Sequence, residues 1–201
     1  MVRWRSVAAA VLVLGTAAGV SFGLGIGGTI PSAEVRMKNV DGRELAIGDV
    51  AGPKGTLVIF SCNHCPYVKA WEARLVAIGN DAVRRGVGVI AINPNDPAVF
   101  QEDDFAAMTE RAKARGYGFP YVVDAGASRL ARAFGATHTP EAFLFDSNGV
   151  LVYHGAIDDN VEDASKVTRH YLGEAIDAVV AGSRPAVSES KAIGCSIRLR
   201  S

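Results

Sequence analysis

The sequence predicts an α/β fold in which a central mixed β-sheet carries helices on both faces and is preceded by an N-terminal hairpin. Two continuous apolar runs rich in β-branched residues, Thr56–Phe60 and Val87–Ile92, read as strands covered on both sides. Helical spacing of apolar residues follows each of them, so strands and helices alternate. Finally, Asp146-Ser147-Asn148-Gly149 separates two short apolar runs, and Asn-Gly is a hairpin turn, which adds antiparallel strands to the sheet.

The elements follow in order. Glu34 to Leu45 alternates weakly around an Asp41-Gly42 turn and predicts the preliminary hairpin. Thr56–Phe60 ends directly at a pair of cysteines. Tyr67, Val68, Trp71, Leu75 and Ile78 then recur at helical spacing through to Arg85, where Gly86 is a natural stop. After the strand Val87–Ile92, Asp103–Arg115 reads as an amphipathic helix closed by Gly116. Tyr121–Val123 reads as a short strand, and Ser128–Phe134 as a short helix capped by Ser128 and ended by Gly135. The hairpin strands are Ala142–Phe145 and Val150–His154, and a last helix spans about 167–180. Residues 184–201 contain Pro185 and no clear period, which predicts a surface tail carrying Cys195.

At 201 residues the chain fits one domain, 28–183, between a leader and this tail. With 49% hydrophobic and 21% charged residues it can bury a sizeable core without disulfide staples. Twenty-one basic residues balance twenty-one acidic ones, and no basic stripe is interleaved with aromatics, so nucleic acid is not an implied partner. Arg3 and Arg5 precede an uncharged stretch from Ser6 to Ala33, and Thr16-Ala17-Ala18 offers small residues for cleavage. Residues 1–27 therefore read as a signal peptide or a retained membrane anchor, with the domain extracytoplasmic, in the periplasm or facing outside. A buried N-terminal helix of a cytosolic protein is the alternative.

Three cysteines exclude a secreted disulfide scaffold, and two of them form Cys62-Asn63-His64-Cys65. A structural zinc site wants four ligands, usually from two such pairs, and the second pair is missing. A strand ending at Cys62 and a helix starting soon after place both sulfurs at a helix N-terminus. There, free N–H groups and the dipole favour a thiolate. Cys62 is expected to be the more exposed, low-titrating nucleophile, and Cys65, one turn inward, the thiol that resolves a mixed disulfide. Pro66 suits the first helical turn, and His64 between the sulfurs stabilises the reduced form.

The strand Thr56–Phe60, the run Cys62-Asn63-His64-Cys65-Pro66 and Thr139-Pro140-Glu141 together resemble the redoxin (AhpC/TSA-like) branch of the thioredoxin-like superfamily. The resemblance runs from about Gly28 to Gly182 and implies the thioredoxin fold. It also implies that Pro140 is a cis proline opposite the redox pair and that Thr139 contacts the extended chain of a substrate. Thioredoxins, however, carry an aromatic residue before the first cysteine and Gly-Pro between the two. Here Ser61 and Asn63-His64 stand in those places, so partner choice does not carry over.

Asn93-Pro94-Asn95-Asp96 follows a strand at its carboxyl end, where such loops border sites, and it is equally a turn of ordinary composition. Asp158-Asp159-Asn160 offers oxygens to a hard cation but reads better as a solvated loop. His138 and His154 offer nitrogens that could join Cys62 and Cys65 around copper or zinc, and His170 carries no functional reading. Cys195, in Ile193-Gly194-Cys195-Ser196-Ile197, is either a third thiol brought to the site by the tail or a bystander.

These residues predict a thiol–disulfide oxidoreductase acting on protein thiols and disulfides or on a small thiol, with no bound cofactor. Cys62 and Cys65 are its catalytic residues, and Asn63, His64, Asn93, Thr139 and Pro140 support them. A peroxiredoxin-like peroxide reductase is the first rival. The resemblance speaks against it, because that family has threonine three positions before its peroxidatic cysteine and Ile59 stands there. A copper metallochaperone of the same fold is the second rival.

Overall fold

The computed structural model describes residues 23–124 and 126–200. The leader read at 1–27 lies outside the described residues up to position 22. Residues 23–28 lie against the domain, where the Leu24 N–H donates to the Phe134 carbonyl at 3.1 Å and the Leu151 N–H to the Gly28 carbonyl at 2.8 Å.

In chain order the elements are β1 (Met37–Lys38), β2 (Glu44–Leu45), β3 (Gly55–Phe60), α1 (Pro66–Arg84), β4 (Val87–Asn93), α2 (Phe105–Arg115) and β5 (Tyr121–Val123). There follow α3 (Arg129–Phe134), β6 (His138–Thr139), β7 (Glu141–Asp146), β8 (Leu151–Gly155), α4 (Tyr171–Val180) and β9 (Cys195–Ser196). Strands β1 and β2 form the expected antiparallel hairpin. The central sheet has the order β5-β4-β3-β7-β8, parallel from β5 to β3 and antiparallel from β3 to β8.

Strand β3 lies at the centre because both of its faces are apolar. Leu57 and Ile59 enter a cluster with Trp71 and Leu75 of α1, Met108 of α2 and Leu172 of α4. Val58 and Phe60 point the other way, towards Ile47, Leu130, Phe134 and Phe143. The period of two thus feeds two cores, and each large side chain contributes about 1.5–3 kcal/mol by leaving water. Helix α1 starts where it does because Pro66 follows Cys65 as first helical residue: its ring pre-sets φ, and its missing N–H costs nothing there.

Two helix starts and one capping group differ from expectation. The helix read from Asp103 begins at Phe105, with Asp104 as its cap accepting the Ala107 N–H at 2.7 Å, which frees Asp103 to face the interior. The cap of α3 is not the Ser128 side chain. Asp124 takes the Leu130 and Ala131 N–H groups, both at 2.9 Å, while the Ser128 hydroxyl donates to the Pro94 carbonyl at 2.7 Å. Helix α4 begins at Tyr171, after a separate turn at 164–166 that Asp163 caps.

The largest departure is the tail, which is not a free surface segment. Residues 188–190 run along the edge strand β8, with the His154 N–H donating to the Ser188 carbonyl at 2.9 Å and the Ser190 N–H to the His154 carbonyl at 3.0 Å. Strand β9 then pairs antiparallel with β6, placing Cys195 opposite Thr139 and Ser196 opposite His138. Main-chain pairing of this kind leaves no side-chain period to read in a sequence. Among the described residues, no helix is long and apolar enough to cross a membrane.

Candidate functional site

Cys62 lies just past the end of β3, and Cys65 is the residue that caps α1. Both sulfurs face Thr139: Cys62 Sγ is 3.1 Å from Thr139 Oγ1, and Cys65 Sγ is 3.1 Å from the Thr139 carbonyl. The Thr139–Pro140 bond is cis, as the resemblance implied. Contrary to expectation, Cys62 is not the exposed sulfur. The relative exposures of Cys62 and Cys65 are 1% and 0%, and Cys195 packs against the cluster they form with Val68.

The two thiols are hydrogen-bonded to each other and lose protons as one unit. The bond from Cys62 draws Cys65 below the ordinary thiol range against the effect of burial, with help from the Cys195 thiol and the Val68 N–H. The same bond pushes Cys62 far up, and burial and the Asp103 charge add to it. This reverses the expectation that Cys62 carries the charge in the closed, reduced chain. The contacts with Thr139 act in the opposite sense, since its carbonyl favours a proton on Cys65 and its hydroxyl can donate to a thiolate on Cys62. The shared result is one readily lost proton and one strongly held proton. Burial and the bond to Cys65 hold Cys195 up at about 11, so it is a neutral thiol at pH 7.

Asp103 is the site residue that sequence reasoning missed. It is 1% exposed and accepts from the backbone N–H groups of Asn63 at 2.6 Å and His64 at 3.3 Å, and from the side chain of Asn95 at 3.1 Å. His64 Nδ1 stands 2.6 Å from the same carboxylate, and its ring stacks on Phe100 at 3.7 Å between centroids. The loop N–H groups expected to serve the sulfurs are thus directed at a carboxylate. The available signal was the doublet Asp103-Asp104, since a helix needs only one cap.

Asn63 is locked: its amide donates to the Glu102 carbonyl at 2.7 Å and its oxygen accepts from the Tyr121 hydroxyl at 3.1 Å. Asn93 is fully buried beside Ser61, and its oxygen accepts the Asn95 N–H at 3.1 Å. Ser61 Oγ and Asn93 Nδ2 are the buried side-chain polar atoms without a partner among the described residues. Because a buried unpaired hydroxyl is a net cost, Ser61→Ala should raise stability by about 1 kcal/mol. A urea midpoint that stays constant or falls would refute this.

The histidines expected to complete a copper set are elsewhere. His138 Nδ1 bonds the Thr137 hydroxyl at 2.8 Å, and His154 Nε2 lies 2.6 Å from Glu141 while its ring stacks on Phe143. Donor atoms of Cys62, His64 and Asp103 do lie within 4.8 Å of one another. Yet the Asp103 oxygens are already engaged by four donors, from Asn63, His64 twice and Asn95. The solvated-loop reading of Asp158-Asp159-Asn160 fails at Asp158, which is buried and accepts from Trp71 Nε1 at 2.7 Å and from Arg74 at 2.5 Å.

Comparison with known proteins agrees with the fold. The chain is similar to an uncharacterized conserved protein from Geobacillus kaustophilus, with 34% identity over 88% of this chain and 93% of that one and a TM-score of 0.81. It is also similar to a hypothetical protein from Sinorhizobium meliloti, with 32% identity over 90% and 96% of the two chains and a TM-score of 0.78. A secreted disulfide oxidoreductase from Mycobacterium tuberculosis, 13% identical over 75% of this chain and 96% of that one, has a TM-score of 0.54 and shares the fold. No curated protein sequence matches. Residues 26–154, which hold both close cysteines and the cis proline, match the model of the AhpC/TSA family, and the chain belongs to that thioredoxin-like family.

Proposed function

We propose that the chain is a thiol–disulfide oxidoreductase that exchanges a Cys62/Cys65 dithiol and disulfide with protein thiols or a small thiol. The observation that carries this reading is the contact of both sulfurs with Thr139, the residue before the cis proline, at the junction of β3 and α1. A thiolate at Cys62 attacks one sulfur of a partner disulfide and expels the other as thiolate, which gives a mixed disulfide. Cys65 then attacks Cys62 Sγ, releases the partner's second thiol and closes the Cys62–Cys65 disulfide. The partner gains two electrons and the pair loses two, and the reverse sequence oxidises a partner dithiol.

In this reading Thr139 and Pro140 shape the partner groove. The Asp103–His64 pair sets the charge beside Cys62, while Asn63 and Asn93 hold the loop and strand end in place. Residues 1–27 act as an export signal or anchor that places the domain in an oxidising compartment.

Equilibration with glutathione buffers tests the function. One disulfide should form between Cys62 and Cys65, with a potential between about −270 and −120 mV, the low end marking a reductant and the high end an oxidant. Absence of that disulfide across the range, together with turnover of peroxide by the purified chain, would replace this reading with a peroxidase.

A further inference from the structure

If the edge at Thr139 receives a partner's extended chain, that place is already taken by the protein's own C-terminus. Strand β9 pairs with β6 there, with Cys195 directly opposite Thr139. The seating is close: a Cβ on Gly194 would run into the Thr139 carbonyl and the Pro140 nitrogen, so a side chain at 194 is excluded while the strand is docked. The strap is held on both sides of Cys195. Upstream, the Ser190 hydroxyl lies 2.7 Å from that of Tyr153 and accepts the Ala156 N–H at 2.9 Å. Downstream, the Arg198 N–H donates to Asn95 Oδ1 at 2.8 Å, and Asn95 also bonds Asp103. Between these anchors Cys195 packs against the cluster of Cys62, Cys65 and Val68, directly opposite Thr139, which both sulfurs of the pair contact.

We propose that the C-terminal strap is an internal partner strand and that Cys195 is a third redox thiol, which exchanges with the Cys62–Cys65 disulfide at the sulfur of Cys65. The proposal rests on the exchange function given above. In the step, Cys195 Sγ forms a bond to Cys65 Sγ, the Cys62–Cys65 bond breaks, and the Cys195 proton passes to Cys62 as it leaves. No electron enters or leaves: two oxidised sulfurs remain, now Cys65 and Cys195, and Cys62 is again a thiol. In that state the strap is tethered over Thr139 and the groove is closed to other chains until Cys62 attacks Cys65 in reverse.

The test is to oxidise the full chain with one equivalent of diamide, quench by alkylation and map the disulfides by mass spectrometry. The expected result is a Cys65–Cys195 disulfide with alkylated Cys62, alongside the Cys62–Cys65 form. Gly194→Val, which unseats the strap without touching a thiol, should lower the Cys65–Cys195 fraction at least several-fold. If every wild-type molecule with a Cys62–Cys65 disulfide has Cys195 alkylated, and no Cys65–Cys195 form appears, the proposal is overturned. That mapping decides by itself should Gly194→Val fail to fold. A Cys195→Ser chain that forms no Cys62–Cys65 disulfide would sink the exchange function instead, so the two failures are distinct.

Discussion

Cys65→Ser should accumulate stable mixed disulfides with partners at Cys62, Cys62→Ser should accumulate none, and both should lose exchange turnover almost completely. The asymmetry follows from position. Cys62 lies just past the carboxyl end of β3, where a partner chain that displaces the strap would meet it first, whereas Cys65 is the cap of α1, with Pro66 behind it and within reach of Cys62. Without Cys65 the mixed disulfide has lost its nearest internal nucleophile. Cys195 is close enough to substitute, so trapping should be greater in Cys65→Ser/Cys195→Ser than in Cys65→Ser. Non-reducing gels followed by identification of the linked cysteine measure both effects. Equal trapping by Cys62→Ser and Cys65→Ser would show that the two sulfurs are not divided into attacking and resolving roles.

Asp103→Ala should destabilise the fold by about 3–5 kcal/mol, the cost of removing one member of a buried charged network and leaving its partners unpaired. Two backbone N–H groups, the Asn95 amide and His64 Nδ1 all lose their acceptor. Asp103→Asn keeps one acceptor oxygen and should cost less. The Asn variant also isolates an electrostatic effect. Asp103 raises the Cys62 thiol by its negative charge, so neutralising it should shift Cys62 downward and make the pair alkylate faster at a given pH. Urea unfolding and the pH profile of alkylation check the two parts. Slower alkylation in a folded Asp103→Asn chain would mean that the carboxylate acts mainly by positioning the loop.

The sequence by itself determined the layered α/β architecture and the place of its chemistry. Strand β3 is buried on both faces, so Leu57, Val58, Ile59 and Phe60 form an uninterrupted apolar run that cannot be mistaken for a surface segment. Pro66 and Gly86 mark the ends of α1 because each restricts or frees the backbone locally, and the Asn-Gly turn sets the β7–β8 hairpin for the same reason. Cys62 and Cys65 were legible because their spacing is itself local.

Tertiary structure alone decided what faces the sulfurs. Asp103 and Asp104 are the same residue type side by side, and only the packing of α2 makes one a surface cap and the other a buried acceptor. The strap of residues 188–200 is held largely by backbone hydrogen bonds to β6, β8 and the Asn95 loop, which impose no period on side chains. Without a period it reads as a surface tail, although it covers the redox pair. The direction of the thiol titration was hidden for a related reason: it depends on a carboxylate about forty residues away in sequence and on a third sulfur from the end of the chain. Electrostatic effects of this kind follow distance in space, which local sequence patterns do not encode.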